Sequence, residues 1–541
     1  MTKSYLYFLI LMIPAGLFAQ VSPDWSMIYN GNDDYFDNGV AIALDPSGNV
    51  FVGGTSVSIT NGAPDYVVLK YTSAGEFKWS YEYDGTGAYE DFLAAITTDS
   101  EGNVYATGGS HEGSSRRDYV TLKIDGSGAF AWKSIYKGLD VNNDDAAADI
   151  VVDENGYVYV TGASAGYSSS MWTDFATLKL TPGGDTVWTR RLGGPGMPND
   201  RATAIAVDNF GYVYVTGYFE GDVSTRYNYA TAKYKPNGDT AWVRVYNGTG
   251  SDEDRAYAIA VDENRNVYVT GSSWGLNADD YATVKYDSNG VQKWVARYNG
   301  PAGSYDKAWD LKLDDEGNVY VTGQSGGTSG NYDYCTIRYN PDGGEDWVAR
   351  YNGPDNLDDV ATSVAIDPSG NIFVTGYSYN PPSPYISTTD MVLIKYNPEG
   401  LEEWVSRFDG PGNNYDQGYA IAADPSGDVF VTGSTEYYGQ QNSRDIFTVK
   451  YAGPSLVEDF SSGNSINLYP NPADHQLTVQ VPCGAALISV CDLTGRQIIV
   501  HELKVSEKDE QTFNISGIPS GAYIVKVTTT LGISEKKLIV Y

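Results

Sequence analysis

Two series of aspartates recur along the chain, and each member of the first series stands eight residues before a member of the second. The first series is Asp37, Asp91, Asp145, Asp200, Asp254, Asp306, Asp359 and Asp416. The second series is Asp45, Asp99, Asp153, Asp208, Asp262, Asp314, Asp367 and Asp424. Clustered carboxylates can hold a cation or a polar ligand, but aspartates in loops also bind backbone N–H groups. Because a specific site is seldom rebuilt in every repeat, we expect both series to be structural.

Three acidic segments offer further oxygen ligands, namely Asn32–Asp34, Asn142–Asp145 and Ser251–Asp254. Calcium prefers such hard oxygen ligands, but none of the three segments has the spacing of a known calcium loop. We therefore expect no resident cofactor, with calcium as the alternative, and the sequence leaves the identity of any metal open.

A third group consists of aromatic residues in the segments between the repeated motifs. They are Trp172, Tyr218, Phe219, Tyr227, Trp274, Tyr377, Tyr379, Tyr385, Tyr437 and Tyr438. Exposed rings with Asn, Ser and Asp neighbours suit sugar rings or a protein partner. We predict that these rings form a ligand-binding surface, and the alternative is that they pack their own loops.

The residues of common catalytic constellations are few and scattered. The chain has three histidines, which are too far apart to suggest a zinc site or a Ser-His-Asp triad. Its three cysteines do not form a disulfide framework, although Cys483 and Cys491 are close enough to pair across neighbouring strands in an oxidising compartment. We expect Cys335 to be a small buried residue. The sequence therefore predicts no enzyme.

These residues are positioned by a repeated unit that opens with a tryptophan every 52 to 57 residues. The unit-opening residues are Trp25, Trp79, Trp132, Trp188, Trp242, Trp294, Trp347 and Trp404. Each unit reads as four strands, as in Trp242–Gly248, Asp254-Arg-Ala-Tyr-Ala-Ile-Ala-Val-Asp262, Asn266-Val-Tyr-Val-Thr-Gly271 and Asp280-Tyr-Ala-Thr-Val-Lys-Tyr286. Four strands in about 50 residues are typical of one propeller blade. We predict an all-β, eight-bladed propeller over residues 20–452, in which the strand Trp25–Tyr29 completes the eighth blade.

Turn lengths assign the two faces of this propeller. The turns after the Ala-Ile-Ala strand and before each tryptophan are tight, and both fall at one end of a blade. The longer connections vary and fall at the other end, which we call the variable face. If the Ala-Ile-Ala strand is innermost, the first aspartate series rings the mouth of the central channel on this face. Ligand binding usually resides in such varying loops.

The repeat, with its Ala-Ile-Ala-Val-Asp262 and Val-Tyr-Val-Thr-Gly271 motifs, resembles the bacterial SBBP β-propeller repeat over residues 25–451. This resemblance implies the architecture and export, and little about ligands. The Gly-x-x-x-Trp spacing also resembles the tryptophan-docking motif of quinoprotein dehydrogenases, which have eight blades. We find no vicinal cysteine pair, and no single repeat departs from the others to offer cofactor ligands. An enzyme, either quinoprotein-like or a polysaccharide lyase or hydrolase, is therefore the alternative function.

The composition changes after a linker at residues 453–465, which is rich in Gly and Ser. Residues 466–541 read as alternating strands of a small Ig-like sandwich. The Leu468-Tyr-Pro-Asn-Pro-Ala473 start, the Leu-Thr-Gly-Arg496 turn and the Gly-Ala-Tyr523 strand resemble the type A sorting domain of type IX secretion substrates in the Bacteroidetes group. The resemblance implies interaction with the type IX machinery and removal of this domain, and it leaves open whether the propeller is released or attached to the surface.

The N-terminal segment and the net charge define the compartment. Residues 1–19 combine Lys3 with a short apolar run and predict a signal peptide cleaved after Ala19. No other segment is apolar enough to cross a membrane, and the net charge of −34 argues against a nucleic-acid partner. We expect a secreted or outer-membrane surface protein that presents its variable face to a glycan or a protein, with a purely structural role in a surface layer as a further alternative.

Overall fold

The computed structural model divides the chain into two compact units, one up to Gly453 and one from Pro454. The residues that it describes are 21–31, 35–57, 62–86, 89–113, 116–139, 143–166, 172–194, 199–221, 226–250, 252–380, 388–412, 414–436, 444–453, 467–469, 473, 475–480, 485–492, 497–502, 510–519, 521–529 and 532–540. The regular secondary structure of these residues consists entirely of β-strands, so the all-β prediction is confirmed. These residues contain no helix that is long and apolar enough to span a membrane.

The first unit consists of eight four-stranded antiparallel sheets, and we call the strands of each blade inner, second, third and outer. In that order, blade 1 is Asp37–Leu44, Val50–Val57, Pro64–Tyr71 and Phe77–Tyr83; blade 2 is Phe92–Thr98, Val104–His111, Arg117–Ile124 and Phe130–Tyr136; blade 3 is Ala146–Val152, Val158–Ala165, Thr173–Leu180 and Thr186–Leu192; blade 4 is Arg201–Val207, Val213–Glu220, Tyr227–Tyr234 and Thr240–Tyr246. Blade 5 is Asp254–Val261, Val267–Trp274, Asp279–Tyr286 and Gln292–Tyr298; blade 6 is Asp306–Leu313, Val319–Gly326, Tyr332–Tyr339 and Glu345–Tyr351; blade 7 is Asp359–Ile366, Ile372–Tyr379, Thr389–Tyr396 and Glu402–Phe408; blade 8 is Asp416–Ala423, Val429–Glu436, Arg444–Tyr451 and Trp25–Tyr29.

The blades close into a ring, which confirms the predicted eight-bladed propeller. Each inner strand contacts the inner strands of the two neighbouring blades, and blade 8 contacts blade 1 in the same way. The Ala-Ile-Ala strand is therefore innermost. The N-terminal strand Trp25–Tyr29 pairs antiparallel with the third strand of blade 8, with Trp25 opposite Lys450. This pairing joins the two ends of the propeller and removes an open sheet edge.

Each tight turn before an outer strand receives the tryptophan of the preceding blade. The Trp294 indole of blade 5 packs on Gly343 of blade 6, where an added Cβ would lie 2.6 Å from the ring. Its Nε1–H donates a hydrogen bond to the Pro341 carbonyl at 3.0 Å. Gly343 has a φ of +86°, a conformation that side chains with a Cβ rarely adopt. The glycine that precedes a tryptophan in sequence thus packs against the tryptophan of the preceding blade.

The second aspartate series closes the other tight turns, as predicted. In blade 5, Asp262 Oδ1 accepts the Asn266 N–H at 2.8 Å and Asp262 Oδ2 accepts the Tyr268 hydroxyl at 3.1 Å. Tyrosines also join blades through the core, since the buried Tyr281 hydroxyl donates to the Cys335 carbonyl of blade 6 at 3.1 Å. Cys335 is itself fully buried, which confirms its predicted place in the core.

The second unit consists of two sheets. One has the strand order Asn467–Tyr469, Gln476–Gln480 and Glu510–Asn514, and the other Gln497–Glu502, Ala485–Asp492, Gly521–Thr529 and Gly532–Val540. Buried residues of both sheets, including Leu477, Val490 and Val525, share one core, so the two sheets form a small sandwich. Cys491 is a buried free thiol, and Cys483 lies outside the described residues.

Candidate functional site

The first aspartate series lies at the start of the inner strands, and its carboxylates are turned into the protein. All eight residues are at most 1% exposed. In blade 5, Asp254 Oδ2 accepts the Gly248 N–H at 2.8 Å and Asp254 Oδ1 accepts the Trp274 N–H at 3.1 Å. The bond from a glycine six or seven residues earlier recurs in every blade. In this geometry each carboxylate holds the preceding loop by hydrogen bonds to its backbone. The eight aspartates do not form a ring of exposed carboxylates at the channel mouth.

Burial raises the pKa of several of these carboxyls. It raises the pKa of Asp37, Asp200 and Asp359 to about 6 and that of Asp416 to about 7. The backbone N–H groups lower the pKa again, but they do not offset the loss of solvation.

The predicted aromatic residues mostly lie at strand ends, where the sequence analysis placed loops. The second and third strands of blade 4 remain paired beyond the Val-Tyr-Val-Thr-Gly motif, with Tyr218 opposite Tyr229 and Tyr227 opposite Glu220. Trp274, Tyr377 and Tyr379 extend second strands in the same way. Paired strands hold these rings in fixed positions, which a free loop would not do.

Three groups of the predicted aromatic residues have different outcomes. Phe219 is only 4% exposed and packs on Phe175 at 4.8 Å between ring centroids, so its expected place on a binding surface is wrong. It alternates with Tyr218 along the strand and therefore faces the core. Trp172 is 38% exposed. Tyr385, Tyr437 and Tyr438 lie outside the described residues.

A cluster of rings and cations begins in blade 4. The rings of Tyr218 and Tyr227 meet edge to face with their centroids 5.0 Å apart. The Arg255 guanidinium of blade 5 lies over both rings, 4.7 Å from the centroid of Tyr227 and 5.5 Å from that of Tyr218. Cations in this position are attracted to the negative face of the ring.

The cluster continues across the inner strands of blades 5 and 6. The Tyr257 and Trp309 rings lie 4.9 Å apart. The Lys307 ammonium lies 4.8 Å from the centroid of Tyr257 and 4.0 Å from that of Trp309. All of these side chains are partly exposed. We call Tyr218, Tyr227, Arg255, Tyr257, Lys307 and Trp309 together the aromatic–cation ladder.

Polar atoms beside the ladder are left without partners among the described residues. The indole N–H of Trp309 and Oδ1 of Asp279 are both buried and make no hydrogen bond there. Burial raises the pKa of Asp279 to about 6 even though the Lys307 ammonium opposes the rise. Buried polar groups usually have partners, so these two atoms could accept or donate hydrogen bonds to a bound group.

Sequence reasoning missed Tyr257, Trp309 and the two cations of the ladder. Tyr257 and Trp309 are the third residues after a first-series aspartate, and the corresponding residues of blades 1 to 3 are Val40, Ala94 and Ala148. A comparison of the repeats at this one position would have identified three large rings, namely Tyr257, Trp309 and Tyr419 of blade 8.

Two blades also differ from the others deeper in the inner strands. Asp149 and Asp310 stand where five blades have alanine. Asp149 Oδ2 accepts the Ile205 N–H of the next blade at 2.8 Å, and Asp310 Oδ2 accepts the Val364 N–H at 3.1 Å. Burial raises the pKa of Asp149 to about 6, and the Asp310 carboxylate adds to the rise. Both side chains thus bridge neighbouring blades.

Of the three acidic segments, Asn32–Asp34 lies outside the described residues, and the other two each contribute an ion pair. Asp144 pairs with Arg117 at 3.2 Å, and Asp252 pairs with Arg226 at 3.3 Å. Carboxylates that could share a metal ion occur elsewhere among the described residues, at Asp65, Asp84 and Asp91.

Comparisons with known proteins agree with this architecture. Residues 187–218, 244–277, 346–381 and 403–436 match the family described as "Beta-propeller repeat", and residues 467–541 match the "Secretion system C-terminal sorting domain". An uncharacterized WD repeat-containing protein of Acanthamoeba polyphaga mimivirus is 23% identical over 449 residues, which cover 72% of this chain and 29% of that protein. The chain therefore spans less than a third of the length of this curated relative.

Solved structures show weaker likeness. Chaetomium thermophilum Sqt1, bound to the N-terminus of a ribosomal protein, has a TM-score of 0.48 at 13% identity and covers 80% of this chain and all of its own. A protein of unknown function from Bacteroides caccae has a TM-score of 0.31 at 10% identity, covering 53% of this chain and 89% of its own.

The eight closed blades, the repeat matches and the sorting-domain match agree with one another. The chain is thus a secreted or surface-exported protein that is built of β-propeller repeats and carries a type IX secretion sorting domain.

Proposed function

We propose that the mature propeller is a non-catalytic binding protein that holds an extracellular glycan on its variable face. The observation that carries this proposal is the aromatic–cation ladder, which runs from the second and third strands of blade 4 to the starts of the inner strands of blades 5 and 6. The inner strands start at the variable face, so the ladder borders the channel mouth there.

The chemistry of the ladder suits sugar rings. Partly exposed Tyr and Trp faces offer flat apolar surface at low conformational cost, and the cations and free polar atoms can orient hydroxyl or carboxylate groups. Lys307 has no acidic partner within salt-bridge distance among the described residues, whereas Arg255 pairs with Glu253 at 2.8 Å. A glycan that carries carboxylates would give Lys307 a counter-charge.

The carboxylates on the inner strands favour a scaffold over an enzyme. Those of the first series accept backbone N–H groups, and Asp149 and Asp310 bridge neighbouring blades. These hydrogen bonds help to hold the fold, which is the role expected of groups that fix a binding surface.

Export precedes binding in this proposal. We infer that residues 1–19 are removed as a signal peptide, and that residues 453–465 link the propeller to the sorting domain at residues 466–541. The sorting domain would bring the chain to the type IX machinery and then be removed, which leaves the propeller free to bind outside the cell.

The experiment is affinity electrophoresis of the purified protein through gels that contain different polysaccharides. We expect one polysaccharide to retard the wild type, and Tyr257→Ala or Trp309→Ala to weaken that binding about tenfold, because a stacked ring contributes roughly 0.5–1.5 kcal/mol beyond its buried area. Phe210→Ala is the matched control, since Phe210 is 61% exposed in a tight turn on the opposite face. Equal loss in the control, or no retardation in any gel, would argue for a protein partner instead.

A further inference from the structure

Most blades pair an aspartate of the third strand with an arginine or a lysine. The second residue of the third strand is aspartate in seven of the eight blades. In blades 3, 5, 6 and 7 this aspartate pairs with an arginine three residues after the outer-strand tryptophan, at N–O distances of 2.7 to 3.0 Å. In blade 2, Asp118 pairs at 3.1 Å with Lys137, which stands five residues after the tryptophan. The positions three and five residues after the tryptophan are therefore the sources of the counter-charge.

Blade 1 reverses the charge at both of these positions. Its aspartate is Asp65, and its outer-strand tryptophan is Trp79. The residue three positions after Trp79 is Glu82, and the residue five positions after it is Asp84. Blade 1 thus keeps the buried acid and replaces each cation used elsewhere by another acid.

The carboxylates of blade 1 converge at its junction with blade 2. Oxygens of Asp65, Asp84 and Asp91 lie within 4.8 Å of one another. Asp91 is fully buried and held by the N–H groups of Gly85 at 2.6 Å and His111 at 2.8 Å, whereas Asp84 is exposed. The group therefore has a fixed inner side and an open outer side.

Asp65 supplies an independent sign of a missing ligand. Asp65 is only 7% exposed, and its Oδ1 is buried without a hydrogen-bond partner among the described residues. An unpaired buried carboxylate is costly, and a cation in contact with it would remove that cost.

We propose that blade 1 binds a calcium ion between the carboxylates of Asp65, Asp84 and Asp91, in the place of the arginine or lysine of blades 2, 3, 5, 6 and 7. The donors are all hard carboxylate oxygens, which calcium takes at about 2.3–2.6 Å, so two oxygens that share one ion lie no more than about 5 Å apart. The open side at Asp84 leaves room for the water ligands that complete a coordination number of six to eight. The inference does not depend on what the variable face binds.

Thermal unfolding of the full chain in calcium chloride and in chelator tests this site. Calcium should raise the unfolding midpoint of the wild type by roughly 2–4 °C, because it binds the folded state alone. Asp65→Asn should abolish the rise. Asp118→Asn is the matched control, because it changes the same position in blade 2 and should leave the calcium response intact.

A charge-restoring variant keeps the test independent of misfolding. Glu82→Arg would rebuild in blade 1 the ion pair of blades 3, 5, 6 and 7, so we expect it to fold in chelator at least as well as the wild type and to lose the calcium response. The proposal is overturned if the wild type unfolds at the same temperature in calcium and in chelator, or if Asp65→Asn and Glu82→Arg both respond to calcium as the wild type does.

Discussion

The two faces of the propeller differ in how far the blades repeat one another. On the tight-turn face, the second-series aspartates and the docked tryptophans make the same contacts from blade to blade. On the variable face, strands that pair in the same way carry different residues at the same position, such as Tyr218 in blade 4 and Ala163 in blade 3. Positions that repeat hold one blade to the next, and we attribute recognition to positions that differ.

The largest effect should follow from disturbing a repeated contact of the tight-turn face. Gly343→Ala places a Cβ 2.6 Å from the Trp294 ring at a φ of +86°. We expect a loss of about 2–4 kcal/mol in the free energy of unfolding, measured by denaturant titration, because both overpacking and backbone strain act there. Gly330→Ala is the control, since Gly330 has a φ of +92° but no atom near its added Cβ. Equal losses in both variants would show that tryptophan docking contributes little.

A smaller loss should follow from a repeated contact of the variable face. Asp254→Ala leaves the Gly248 N–H without its acceptor and the Trp274 N–H with the Glu253 carbonyl alone. We expect a loss of about 1–3 kcal/mol by the same titration, the cost of an unsatisfied buried donor. Asp252→Ala removes only a partly exposed ion pair with Arg226 and should cost less than about 1 kcal/mol. Equal stability of the two variants would show that the first-series aspartates contribute little to holding the loops.

The pH dependence of stability should also carry the signature of the buried aspartates. The pKa of Asp416 is raised to about 7 and those of Asp37, Asp200 and Asp359 to about 6, whereas unfolded aspartates titrate near pH 4. Between these values the folded chain holds more protons than the unfolded chain, so the stability falls as the pH rises. We expect a higher unfolding temperature at about pH 5 than at about pH 8, and a shallower slope in Asp416→Asn. A profile that rises with pH would contradict these shifts.

The smallest effect on stability should come from the ladder. Trp309→Phe keeps a ring between Lys307 and Tyr257 and removes an indole N–H that has no partner among the described residues. We expect its unfolding temperature to stay within about 2 °C of the wild type while glycan binding weakens. A large loss of stability would place Trp309 with the repeated, structural positions.

The sequence predicts the architecture because every blade repeats the same evidence. Gly and Asp at fixed offsets mark the tight turns. The strand Trp25–Tyr29 precedes the first complete repeat, and this position in the sequence indicates how the ring closes. Eight copies average out the ambiguity of any single short strand.

The candidate site is harder to predict from the sequence, because it depends on positions at which one repeat differs from the others. Loop aromatics were chosen by their surroundings, but strand alternation sends Phe219 into the core beside Tyr218. The partners of Arg255 and Lys307 belong partly to other blades or strands, and sequence spacing does not show which rings they cover. The charge reversal at Glu82 becomes visible only once Arg297 and its counterparts are seen to pair with the third strand.

Hydrogen–deuterium exchange of the protein with and without the retarding polysaccharide tests the division between the two faces most directly. We predict slower exchange at the ladder strand ends, residues 218–220, 227–229, 255–257 and 307–309, and unchanged exchange in tight turns such as residues 208–212. Protection confined to the tight turns, or spread equally over both faces, would contradict the assignment of recognition to the variable face.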